Sequence, residues 1–243
     1  MSQFPNAMAL RANAPYVTSQ YRSSVTLGTV GRTEDDRYFR WSKAGAVALA
    51  PGKLMQSEVP GANFSALVIP TAQAIGAKDI TVTNGGTAIT ANMFRDGYIN
   101  FVTSTGAGAL YRIASHPAAD AAASCVITLE NGLAAAIAAT TTADLIKHKC
   151  DAVIIHPSPP TAAVIGVPLV AVTAAYYFWA QVHGPCSVLT DGTLVIGKLC
   201  MPSASVDGAA ATYTTGGDDE IIVGQVMKVD ADQTYSIVDL DLP

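Results

Sequence analysis

The stretch Tyr176-Tyr177-Phe178-Trp179-Ala180-Gln181-Val182-His183-Gly184-Pro185 decides the fold class. It is aromatic, uncharged and closed by a Gly-Pro pair that punctuates a strand. Strand alternation sends Tyr176, Phe178, Ala180 and Val182 to one side and Tyr177, Trp179, Gln181 and His183 to the other. Two arrangements satisfy that pattern. Either this is a central strand covered on both faces, or Tyr177 and Trp179 form a contact patch for a neighbouring subunit.

Working outward, short apolar runs cut by turn residues recur on both sides. Downstream, Leu169 to Thr173, Tyr176 to His183, Ser187 to Leu189, Thr193 to Ile196, Ile221 to Val229 and Tyr235 to Leu240 are six strand candidates. Upstream, Ala66 to Ile69, Asp79 to Thr83, Tyr98 to Val102, Leu110 to Ala114 and Cys125 to Leu129 read as strands. Asn84-Gly85-Gly86, Asp96-Gly97, Gly106-Ala107-Gly108 and Asn131-Gly132 separate them and supply the positive-φ residues of tight turns. Strands at this spacing predict a mainly β protein with a β-sandwich or β-barrel body rather than βαβ units. The Ala-rich run from Leu133 to Lys147 predicts one helix, or two short ones if Thr142 caps a second over 143–149.

Residues 1–60 differ in composition. Asn6, Asn13, Pro5, Pro15 and the charged run Arg32-Thr33-Glu34-Asp35-Asp36-Arg37 alternate with Tyr16, Tyr21, Tyr38, Phe39 and Trp41, without a sustained period. This reads as an extended arm whose aromatics anchor on a partner, or as a segment wrapped on its own domain. The expected division is an arm over 1–60, a β-rich domain over 61–165 and a barrel-like domain over 166–243.

Half of the 243 residues are hydrophobic and only 14% are charged, which favours a protein whose faces are covered by neighbours in an oligomer or lattice. The net charge of -5 argues against a nucleic-acid surface, and no uninterrupted apolar run is long enough to predict a membrane span. Met1 to Pro15 lacks the apolar core of a secretory signal. Cys125, Cys150, Cys186 and Cys200 have no CxxC spacing and read as buried, reduced thiols.

Chemical motifs are sparse. Gly192-Thr193-Leu194-Val195-Ile196-Gly197-Lys198 has the glycine and lysine spacing of a phosphate loop, but Leu199 stands where a metal-binding hydroxyl is needed. Gly106-Ala107-Gly108 leads into a strand rather than a helix. His116, His148, His156 and His183 lack metal-ligand spacing, and no nucleophile elbow occurs. The expectation is therefore no catalytic residue, no metal and no cofactor. A hydrolase built on a cluster of His183, Cys186 and an acid is the contrary hypothesis.

The block Tyr177 to Pro185, continued through Asp191-Gly192, Gly197, Ile222-Val223-Gly224 and the closing Tyr235 to Leu240, resembles the head-decoration (cement) proteins of tailed bacteriophages. Ile75-Gly76-Ala77-Lys78-Asp79 and Tyr98-Ile99-Asn100-Phe101-Val102 share that character, and Phe178 departs from it where a small residue is expected. The resemblance implies a β-rich homotrimer on the outer surface of the virion capsid, bound to the major capsid protein and stabilising the head. It implies no enzyme activity, no cofactor, no nucleic acid and no membrane. The candidate interface residues are Tyr16, Tyr21, Tyr38, Phe39, Trp41, Tyr177 and Trp179. A head fibre or tail adhesin that binds a host glycan through Ala204 to Glu220 is the alternative.

Overall fold

A computed structural model describes residues 7–214 and 221–243. Gly216-Gly217, Asp218, Asp219, Glu220, Pro5 and Asn6, and with them part of the Ala204 to Glu220 loop, lie outside the described residues. The chain is mainly β and divides into two units: residues 1–59 with 149–243, and residues 60–148.

The continuous unit, 60–148, is a closed six-stranded antiparallel barrel. Its strands are β5 (Leu67–Val68), β6 (Asp79–Thr83), β7 (Tyr98–Phe101), β8 (Leu110–Ser115), β9 (Ser124–Leu129) and β10 (Thr142–Ile146). They follow the order β10-β5-β6-β9-β8-β7, and β7 closes on β10 with Leu145 opposite Ile99. The twofold alternation of the sequence fills this barrel: Ile80, Val82, Ile99, Phe101, Ile127 and Leu129 all point inward and are buried.

The Ala-rich run does not form the expected helix. Leu133 and Ile137 plug one end of the barrel, and Ile137 exchanges backbone hydrogen bonds with Gln73 (2.8 and 2.9 Å). Thr142 to Ile146 then joins the sheet as β10, burying Ala143 and Leu145. The high helix propensity of alanine is overridden here by two buried side chains and by pairing with other strands of the barrel. Among the described residues the helical structure is 3-10, at Ala14–Tyr16 and Ala62–Phe64.

The discontinuous unit is built on a second sheet. From the N-terminal side come β1 (Met8–Ala9), β2 (Val30–Arg32), β3 (Tyr38–Lys43) and β4 (Met55–Gln56). After the barrel follow β11 (Ile154–Ile155), β12 (Val164–Pro168), β13 (Tyr177–Leu189), β14 (Leu199–Pro202), β15 (Ala210–Thr212), β16 (Gly224–Lys228) and β17 (Tyr235–Asp241). The main path is β1-β2-β3-β13-β17-β16-β14-β15, with β4, β11 and β12 attached beside β13. The chain leaves this unit after β4 and re-enters at β11, and these two strands pair with each other, Gln56 opposite Ile154.

The aromatic strand is longer than its Gly-Pro pair predicts. β13 runs on through Gly184 and Pro185 to Leu189, pairing with β3 and β12 in its first half and with β17 in its second. Gly184 has φ 86, which only glycine adopts without strain. The buried Gln181 amide donates toward the carbonyls of His183, Gly184 and Pro185 at 3.2, 3.1 and 2.9 Å. That side chain replaces ladder bonds lost where the strand bends.

The segment 1–60 differs from the expected arm. β3 lies inside the sheet against β13, and Tyr38, Phe39 and Trp41 are core residues. The physical reason is local: Tyr38–Lys43 is a strand with both faces covered, which hides the twofold pattern. The expected boundary near residue 165 is also displaced, because β11 and β12 belong with the N-terminal strands.

Candidate functional site

The seven candidate interface residues separate into two groups. Phe39 is fully buried, and Trp41 and Trp179 face each other across β3 and β13 with ring centroids 5.0 Å apart. Tyr177 stacks on Trp41 at 6.0 Å, and Tyr38 packs edge-on to His183 at 5.5 Å. This face of the aromatic strand is covered by the chain's own N-terminal segment: Leu10 and Leu27 complete the cluster, and Ser19 and Tyr177 exchange backbone hydrogen bonds at 2.7 and 2.9 Å. The central-strand arrangement therefore describes Trp179. Among the seven, only Tyr16 (50% exposed) and Tyr21 (74%) present large surfaces to solvent.

The chemical motifs find structural explanations. In the glycine-lysine loop the Gly192 amide donates to the Asp232 carboxylate at 2.7 Å, so an acidic group holds the place an anion would need, and β14 follows instead of a helix. His183 meets Asp241 at 3.4 Å, but Cys186 lies in the apolar core and burial pushes its thiol up to about 12. The proposed His183–Cys186 cluster thus lacks an ionisable nucleophile. Among the described residues no group of three or more His, Cys, Asp or Glu side chains could hold a metal ion. Among the described residues no helix is long and apolar enough to cross a membrane.

All four cysteines are buried and none is in a disulfide, as the sequence led us to expect, and burial raises Cys125, Cys150 and Cys200 as well. A thiol-reactive disulfide reagent at mildly alkaline pH should leave the native protein unmodified and titrate all four thiols once the chain is denatured. Prompt labelling of the native form would contradict this burial.

Two histidines precede proline, and one carries a clear proton preference. His116 is buried at the base of the barrel, where its Nε2 accepts the Phe94 N–H at 2.9 Å and its Nδ1 faces the Pro117 carbonyl at 2.8 Å. That pairing fixes the neutral tautomer with the proton on Nδ1. Desolvation holds this imidazole below its ordinary 6.5, the Pro117 hydrogen bond opposing it. Because the folded state binds the proton less well than the unfolded chain, the stabilisation is complete above 6.5 and fades as pH falls toward the lowered value. The barrel's denaturation midpoint should drop between about pH 7 and about pH 5. His116→Gln, which keeps an acceptor for Phe94, should flatten that dependence.

The surface that sequence reading missed is the opposite end of the barrel. Three loops meet there, and none of residues 69–77, 102–110 and 131–143 is charged. Thr142 and Thr103 join two of them by hydrogen bonds of 2.8 and 3.0 Å, and the Gln73–Ile137 bridge joins the third. Ile75 is 70% exposed and Leu110 57% exposed on this end. The base of the barrel, by contrast, carries Arg95, Asp96 and Asp120. The signal was present in the sequence as three charge-free runs, but only the strand order brings them together. A second exposed apolar surface lies on the discontinuous unit, where Leu199, Met227, Tyr235 and Ile237 emerge from β14, β16 and β17.

Comparison with protein-family models, curated proteins and solved structures gave no match to this chain.

Proposed function

We propose that this chain is a virion structural protein: a decoration subunit that binds the outer surface of a major capsid protein lattice and stabilises the head. It works as a homotrimer and without enzymatic chemistry. The observation that carries this reading is the uncharged barrel end. Charged residues are depleted at the cores of protein interfaces, because an ion buried there must be desolvated and re-paired. Three uncharged loops, composed mostly of small and apolar residues, on a filled barrel meet that requirement. The resemblance of Tyr177 to Pro185 and the closing strands to decoration proteins supports the same conclusion. A trimer would present the surface three times, so modest contacts add through avidity, and about 1,600 Å² per contact set suffices for stable attachment.

Sedimentation of the protein with undecorated capsids tests this. The wild-type chain should co-sediment. Ala107→Glu and Ala135→Glu, both on exposed loop positions, should abolish it while circular dichroism and thermal midpoint stay unchanged. Wild-type protein that stays in the supernatant overturns the reading.

A further inference from the structure

Two Asn-Gly pairs occur in the barrel, and the structure treats them in opposite ways. Asn84 is buried; its Nδ2 donates to the carbonyls of Thr87 (2.8 Å) and Asp120 (2.9 Å), and its Oδ1 accepts the Gly85 N–H at 2.9 Å. Every polar atom of that side chain, and the backbone amide that follows it, is engaged. Asn131 is exposed, and among the described residues no hydrogen bond holds its side-chain amide or the Gly132 N–H. Glycine is required here for a packing reason: an added Cβ at Gly132 would lie 2.6 Å from the Gly76 carbonyl oxygen. The chain therefore keeps an unshielded backbone amide directly after a free asparagine.

We propose that Asn131 is a spontaneous deamidation site, with water as the co-reactant, that places a negative charge on the uncharged end of the barrel. The Gly132 nitrogen loses its proton to solvent base and bonds to the Asn131 side-chain carbonyl carbon. The bond from that carbon to the side-chain nitrogen breaks, and ammonia leaves with a proton taken from water. Water then opens the five-membered imide at either carbonyl, giving aspartate or isoaspartate. Asparagine and water are consumed, an acid and ammonia are produced, and no oxidant or enzyme is needed. The product carries a full negative charge at the start of the 131–143 loop, which holds none of its own, and sets it beside the carboxylate of Glu130. Its effect on docking rests on the function proposed above; the chemistry does not.

The whole protein is incubated at mildly alkaline pH and mapped by peptide mass over time. The peptide containing Asn131 should gain the mass of amide-to-acid conversion, while the peptide containing Asn84 stays unchanged. In denaturant both should convert, and Asn131→Gln should remove the first signal. An unmodified Asn131 in the folded protein, or Asn84 converting equally fast there, overturns the proposal. In a separate arm, Asn131→Asp is sedimented with undecorated capsids and should bind at least several-fold more weakly than wild type. If wild type itself does not bind, the docking function fails while the mass result still decides the modification. If Asn131→Asp binds as well as wild type, the regulatory consequence is refuted.

Discussion

Replacing Phe101 by alanine should destabilise the barrel by about 3–5 kcal/mol. Phe101 is fully buried on β7, packs at 5.9 Å against Tyr111, and stands opposite Ala143, a side chain too small to fill the gap. A domain of this size has a total stability of about 5–15 kcal/mol, so the substitution removes much of it. Both tryptophans, Trp41 and Trp179, belong to the other unit. The expected signature is therefore loss of barrel protection in hydrogen exchange, with tryptophan emission still that of a buried pair. Exchange protection equal to wild type would show that the barrel interior is not packed as described.

The second large effect is expected at Gln181. Leucine there removes the donor that serves three carbonyls at the bend of β13. An orphaned buried acceptor costs about 1–3 kcal/mol, and the amide has only two N–H groups to lose. The destabilisation should therefore be roughly 2–6 kcal/mol. The Gln181 Oε1 has no hydrogen-bond partner in the folded protein, so the leucine also removes one unsatisfied atom and the lower part of that range is favoured. Gln181→Glu is the sharper probe. It keeps the shape but turns an acceptor toward three acceptors, and its stability should recover as pH falls and the carboxyl regains a proton to donate. Tryptophan emission follows both variants, because Trp179 lies two residues away on the same strand. A Gln181→Leu protein as stable as wild type would mean that the bend needs no internal donor.

Much of the barrel was legible in the sequence. Asp79–Thr83 was expected to the residue, and β7, β8 and β9 lay within one residue of their expected limits. β6, β7 and β9 alternate in burial, and glycines lie in the connections on either side of them except between β8 and β9. The discontinuous unit was less legible, for three physical reasons. Strands covered on both faces, β3 and β12, show no alternation. The Gly-Pro pair in β13 reads as a stop because its compensation, the Gln181 amide, is a side-chain contact. The expected strand Thr193 to Ile196 is instead a loop, exposing Val195 and Ile196. At the candidate site, aromatic residue type identified packing partners rather than exposed anchors, since Trp41 and Trp179 bury one another. The uncharged barrel end depended on strand order, which composition does not encode.

The placement of the barrel segment between β4 and β11 orders events during synthesis. Residues 60–148 contain everything the barrel needs and can close as soon as they clear the ribosome, since domains fold as units. The first sheet strands emerge earlier but must wait, because β3 pairs with a strand made near the far end of the chain. In that interval β3 has only β2 beside it and Trp41 lacks Trp179, so this edge stays open to chaperones or to mispairing. Ribosome-stalled chains long enough for residue 148 to have left the exit tunnel, but too short for β13 to have emerged, should accordingly carry a protease-resistant barrel behind a digestible leader.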